Sequence, residues 1–139
     1  MKQIMILIFL GLFASLGTAY AGDGHGHNHE AAVEPAPRGG ILRDSPPYKV
    51  ELVLNGDKAN IYVYDNDLKP IAKERLASTI KGELGFPKEK AKEVTLTLGS
   101  DSYEGILAGI SAVHRFDMHV KLVIDQKEVV GDFGIDNIH

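Results

Sequence analysis

Three histidines, His25, His27 and His29, alternate with small polar or glycine residues in the stretch GDGHGHNHE, residues 22–30. Neutral imidazole is the most common metal-ligating side chain, and it suits copper, zinc, nickel and cobalt. The intervening glycines restrict the backbone little, so that several rings can turn toward one ion. The spacing therefore predicts a transition-metal site on this segment, with copper or zinc as the first candidates.

A second interpretation of the tract remains open, in which it is a solvated tail with incidental histidines. Three histidines are a weaker metal signature than a spaced set of cysteines and histidines. Ordering such a segment around an ion also costs roughly 1 kcal/mol or more per residue, which favours micromolar over picomolar binding.

Two further histidines, His114 and His119, flank Met118 in the stretch AVHRFDMHV. Side chains alternate across a strand, so Met118 is expected to point into the core with Phe116, while His119 points to the polar face. His114 is expected in or near a loop, where ligands are often placed. Both histidines are candidates to complete a metal site begun by the N-terminal tract.

Motifs for catalysis are absent from the sequence. The chain has no cysteine, no G-x-S-x-G, no H-E-x-x-H and no glycine-rich phosphate loop. We therefore expect a protein that is not an enzyme.

The N-terminus has the pattern of a secretory signal peptide over residues 1–21. Lys2 precedes an apolar run from Ile4 to Leu16, and Ala19 and Ala21 form a small-x-small cleavage site. The run is short for a membrane span, which needs about 20 residues. The sequence predicts an exported, periplasmic protein that begins at Gly22 and has no membrane segment in its mature form.

The charge of the predicted mature chain limits the classes of partner that we expect it to bind. The full chain of 139 residues has a formal net charge of −4, and removal of residues 1–21 takes away one lysine and no acid, which leaves −5. An acidic protein is a poor partner for nucleic acid or an anionic membrane surface. The remaining 118 residues suffice for one hydrophobic core, which must hold without disulfides.

The chain after the tract divides into an arm and a β domain. Residues 22–40 lack any helical or strand period and predict a flexible histidine-rich arm. Residues 41–139 contain about seven short alternating segments separated by turn residues. This pattern predicts an all-β domain, an antiparallel immunoglobulin-like β-sandwich. Two segments, 70–76 and 87–92, have the composition of short helical turns.

A stretch of about a quarter of the chain, residues 38–71, resembles a known family on short motifs. These are Gly39-Gly40, Glu51-Leu52-Val53, Tyr64-Asp65 and Lys69-Pro70. They are similar to small periplasmic heavy-metal-resistance domains, which occur alone or at the N-terminus of adaptor subunits of resistance-nodulation-division metal efflux pumps. The resemblance implies a sandwich domain that binds metal near an export system.

The chain departs from that family where the family tends to have histidines. Arg38 stands before Gly39-Gly40, and Tyr48 or Lys49 stands near the second histidine position. If those histidines bind metal in the family, most of the ligands here would come from the arm.

Two functions are therefore expected from the sequence. The first is a periplasmic transition-metal-binding protein, a carrier, buffer or accessory to metal efflux, whose arm binds the ion through His25, His27 and His29. The alternative is a non-catalytic envelope module that docks on another protein by an edge strand or loop, with incidental histidines.

Overall fold

Alternating apolar and polar residues form eight β-strands and no α-helix in residues 34–137, the part of the chain that the computed structural model describes. The predicted signal peptide and the three arm histidines lie outside these residues. No helix within the described range is long and apolar enough to cross a membrane. The strands are β1 (Ile41–Ser45), β2 (Tyr48–Asn55), β3 (Lys58–Tyr64), β4 (Thr79–Gly85), β5 (Lys92–Leu98), β6 (Tyr103–Ile106), β7 (Arg115–Ile124) and β8 (Lys127–Asp136).

All eight strands belong to one antiparallel sheet with the order β1-β2-β3-β6-β5-β4-β7-β8. The all-β antiparallel class predicted from the sequence is confirmed, but the immunoglobulin-like arrangement of two packed sheets is not. The strand pattern is the same in both architectures, because each strand buries one face in either case. The difference lies in which strands pair, and β6 pairs with both β3 and β5 to join the two halves into one sheet.

The two edge strands of the sheet approach each other, so the sheet rolls around its core. The hydroxyl of Ser45 on β1 donates a hydrogen bond of 2.9 Å to the carbonyl of Val130 on β8. Ser45 is buried by this approach although it is polar. A single rolled sheet thus encloses the core that a sandwich would enclose between two sheets.

The strand that contains Met118 and His119, β7, supplies much of the core. Phe116, Met118, Val120, Leu122 and Ile124 are fully buried, while the alternate residues are exposed, except Val123, which is partly buried. The prediction that Met118 fills the core is therefore confirmed.

Two glycines make room for the centre of this strand. Val120 pairs with Gly82 on one side and Gly131 on the other, and a Cβ at either glycine would lie 3.4 Å or less from a Val120 methyl group.

Turns fall where polar turn residues predict them. Gly56 takes φ 59° in the two-residue loop between β2 and β3. Asp125 and Gln126 both have positive φ in the loop between β7 and β8, as a type I′ hairpin requires. Arg75 fixes this second hairpin through hydrogen bonds of 3.0 Å and 2.6 Å from its guanidinium to the two carboxylate oxygens of Asp125.

The two predicted helical turns have different outcomes. Lys73–Arg75 forms a 3₁₀ turn inside the predicted segment 70–76. The prediction for 87–92 is wrong: the segment is a turn that enters β5, and Lys88 has φ 63°, which lies outside the right-handed helical region. A second 3₁₀ turn, Ile110–Ala112, lies between β6 and β7.

Candidate functional site

A buried carboxylate fixes the segment that leads from the arm into the sheet. Glu51 on β2 has no solvent exposure. Its two oxygens accept hydrogen bonds from the backbone N–H of Arg38 at 3.1 Å each, and Oε2 accepts one from Gly40 at 2.8 Å. The hydroxyl of Tyr64 donates a further bond of 2.8 Å to Oε1. We call these four residues the Glu51 clamp.

Glycine is required at one position of the clamp. A Cβ on Gly40 would lie 2.3 Å from the carbonyl oxygen of Leu52, a distance that no side chain tolerates. The preceding Gly39 has φ 74°, in the left-handed region that glycine adopts without strain. The Gly39-Gly40 pair therefore lets the backbone lie against β2, where its N–H groups reach Glu51.

The environment of the clamp keeps Tyr64 protonated. Burial raises the pKa of the Tyr64 hydroxyl well above its usual value near 10, and the hydrogen bond to the Glu51 carboxylate raises it further. Tyr64 thus remains a hydrogen-bond donor at every pH at which the protein is expected to work. Four donated bonds compensate for the desolvation of the buried carboxylate.

The side chain of Arg38 extends from the clamp across the surface. Its guanidinium lies 4.7 Å from the centre of the Tyr62 ring, a cation–π contact. It also forms an ion pair of 3.2 Å with Asp101, in the loop between β5 and β6. Arg38 therefore connects the arm's root, residues 38–40, to β3 and to the loop between β5 and β6. This observation gives Arg38 a structural role.

His119 lies on the outer face of β7, as its place in the alternation predicts. Its Nδ1 contacts the carboxylate of Asp132 directly across on β8, and Glu83 is its register partner on β4. The hydrogen bond to Asp132 raises the pKa of His119, and the nearby acids Asp117 and Glu83 add to this. A proton on Nδ1 shared with Asp132 leaves Nε2 of the neutral ring free to ligate a metal, a common arrangement in metal sites.

His114 and His119 lie at different points along the chain, one just before β7 and one within it. His114 is exposed just before β7, and its carbonyl accepts a hydrogen bond from Asn137 N–H at 2.7 Å. The two histidines are five positions apart, which in a fully extended chain corresponds to roughly 16 Å between their Cα atoms. Among residues 34–137, no group of three or more histidines and acids has the geometry to hold a metal ion. His119 lies beside a carboxylate that can orient its ring, and His25, His27, His29, His114 and His119 all remain predicted ligands.

Sequence reasoning missed Glu51, because strand alternation placed it on the polar face of β2. A weak signal was available in the sequence, where Glu51 is flanked by Val50 and Leu52 to Leu54 in an otherwise apolar run. An acid with apolar neighbours on both sides is expected to have polar partners if it is buried.

Comparison with protein-family models, with curated proteins and with solved structures found no match for the chain.

Proposed function

We propose that this protein is an exported, periplasmic transition-metal-binding protein, not an enzyme, which acts as a carrier, buffer or accessory to metal efflux. Copper or zinc binds to an N-terminal arm through His25, His27 and His29. The alternating histidines carry this proposal, because imidazole is the preferred nitrogen ligand for these ions. A metal efflux adaptor or another envelope protein is the expected recipient of the ion.

The folded domain supports the proposal through the Glu51 clamp, which fixes the segment that leads from the arm into the sheet. His29 lies five positions before Glu34, the first described residue, and the clamp fixes the chain at Arg38 and Gly40. A metal site whose root is fixed is delivered to a partner in a restricted set of positions, which lowers the entropy lost on docking.

His119 is the domain residue best suited to assist the arm. The Asp132 carboxylate orients its ring and leaves Nε2 as the ligating atom. When bound, the metal would supply Lewis acidity or exchangeable coordination sites. The chain's own part is to present neutral imidazoles and release them on protonation. Because imidazole must lose its proton to bind, metal affinity should fall as the pH drops below about 6.

Isothermal titration of the tagless mature protein with copper(II) and zinc(II) at neutral pH tests the proposal. Replacing His25, His27 and His29 together by alanine should weaken binding at least about tenfold, since the three rings supply the ligands. His139→Ala serves as the control, because it removes a histidine outside the predicted ligand set and should leave the affinity unchanged. Unaltered affinity in the triple variant, with full loss in His119→Ala, would assign the site to the domain instead and refute the arm.

One observation favours the interaction module as a second candidate. Ile106 on the short strand β6 is 66% exposed, the largest exposure of a bulky apolar residue in the described range. Capture of an envelope protein in the presence of chelator, with loss of capture in Ile106→Lys, would favour the module. Capture that needs both the metal and the arm would favour the carrier.

A further inference from the structure

The sheet has a gap beside the end of β3. The pairing of β3 with β6 stops at Ile61 and Tyr103, so β3 runs on to Tyr64 without β6 beside it. The chain returning after β3 occupies part of this gap, where the N–H of Ile71 donates a hydrogen bond of 3.0 Å to the carbonyl of Val63. A cleft remains between this returning chain and the loop that connects β5 to β6.

The cleft has an apolar interior and a volume of about 240 Å³. Its walls include Val63, Ile71, Leu76, Leu98 and the ring of Tyr103. The Tyr103 hydroxyl already donates a hydrogen bond of 2.6 Å to the carbonyl of Ala77, so the ring presents its apolar part to the cleft. Every buried polar side-chain atom in residues 34–137 has a hydrogen-bond partner. The apolar walls of the cleft therefore favour an apolar body.

The rim of the cleft is charged and has an excess of positive charge. Arg38 and Asp101 lie at the rim and neutralise each other in their ion pair. Lys73 also lines the cleft, and no acid among the described residues forms an ion pair with it. An anionic group at the mouth of the cleft would complement this ammonium, while the returning chain keeps Lys73 in place through the 3₁₀ turn Lys73–Arg75.

From the apolar interior and the unmatched cation at the rim, we infer that this cleft binds a small amphipathic carboxylate, with its hydrocarbon part inside and its carboxylate beside Lys73. A volume of about 240 Å³ lies below the roughly 300–1,000 Å³ of pockets that hold drug-sized ligands, so the cleft suits a small ligand. The fitting ligand is therefore a medium-chain fatty acid or a single-ring aromatic acid. This site lies on the folded domain and is independent of metal binding by the arm.

Titration calorimetry with octanoate tests the inference on the full mature chain, with chelator present so that metal contributes no heat. Octanoate should bind at one site with a dissociation constant between about 10 μM and 1 mM, as expected for a ligand of this size. Octylammonium, which has the same chain and the opposite charge, should bind more weakly. Absence of saturable binding by octanoate would overturn the inference.

Two matched pairs of variants locate the ligand. Ala72→Trp places an indole at the cleft and should abolish octanoate binding, whereas Ala91→Trp, also at an exposed alanine, lies away from it and should not. Lys73→Gln should weaken octanoate roughly three- to fivefold and leave 1-octanol unaffected, because an exposed ion pair contributes modestly. Lys90→Gln removes an equal charge elsewhere and should have no effect.

Each result of these comparisons decides a part of the inference. Equal octanoate affinities in the two tryptophan variants would overturn the location. Equal affinities in the two glutamine variants would overturn the pairing of the carboxylate with Lys73. The circular dichroism spectrum of each variant, matched to that of the unaltered protein, shows that the fold is retained.

Discussion

Replacing Glu51 by glutamine should destabilise the domain and release the segment that the clamp fixes. The substitution keeps the shape of the side chain but removes its charge and replaces one acceptor oxygen by an NH₂ group. The N–H of Arg38, which now lies 3.1 Å from both oxygens, would face this donor, and Tyr64 would have to turn its hydroxyl to accept. The effect therefore tests whether the buried carboxylate holds the arm's root.

The magnitude follows from the bonds that change. A hydrogen bond to a charged group contributes about 1.5–3 kcal/mol and a neutral one about 0.5–1.5 kcal/mol, so each retained bond weakens by roughly 1 kcal/mol. Three partners donate to Glu51, and relief of the desolvated charge offsets part of the loss. We expect the free energy of unfolding to fall by about 1–3 kcal/mol.

Urea unfolding measures the free energy, and native-state hydrogen exchange of the Gly40 amide measures the release of the segment. Glu128→Gln is the matched control, because Glu128 is an exposed acid on β8 and its substitution should change stability by less than about 0.5 kcal/mol. If Glu51→Gln unfolds like the control and Gly40 keeps its protection, the clamp does not hold the segment.

Four further outcomes are expected. Gly40→Ala should destabilise the protein by about 1–3 kcal/mol in urea unfolding, because its Cβ would overlap the sheet backbone; stability equal to that of the unaltered protein would contradict the close approach. Met118→Ala should cost about 2–5 kcal/mol and Met118→Leu less than about 1.5 kcal/mol, since the side chain is fully buried; equal costs would argue against tight packing at this position. In an NMR titration, Asp132→Asn should lower the raised pKa of His119. The ion pair between His119 and Asp132 stabilises the fold fully below the ordinary histidine pKa, near 6.5, and this stabilisation is lost as the pH rises through the pKa of His119 in the folded protein. The pKa of Tyr64 is also raised in the folded protein, so the protonated hydroxyl stabilises the fold fully below pH 10, and this stabilisation is lost as the pH rises through the folded value. Ultraviolet absorbance should show that Tyr64 ionises at a higher pH than the exposed tyrosines. Ionisation together with them would refute its burial.

The sequence predicted the elements of the fold better than their arrangement. Strict alternation from Phe116 to Ile124 identified β7 and its buried face, and polar residues with glycine identified the hairpin turns. These signals are local, because each depends on residues within one strand or turn. The pairing of β6 with both β3 and β5 depends on contacts between distant parts of the chain, which the alternation does not encode. For this reason the sequence predicted the strands but not the single rolled sheet.

The same distinction between local and long-range information applies to the candidate site. The exposure of His119 followed from its place beside Met118 in the alternation, but its contact with Asp132 depends on the register between β7 and β8. The burial of Glu51 was missed because a segment outside the sheet, Arg38–Gly40, covers the face on which it lies. Alternation describes the two faces of a strand and does not show which face a neighbouring segment covers.

The meeting of β1 and β8 has a consequence for the order in which the chain can fold. The hydrogen bond between Ser45 and Val130 joins residues 85 positions apart. Until β8 has formed, the outer side of β1 exposes unpaired backbone groups that are able to join another chain. Of these two strands, the one that is synthesised later, β8, thus completes the protection of β1. Because this closure needs contacts between the two ends of the sheet, we expect folding to be slower than in proteins with mostly local contacts.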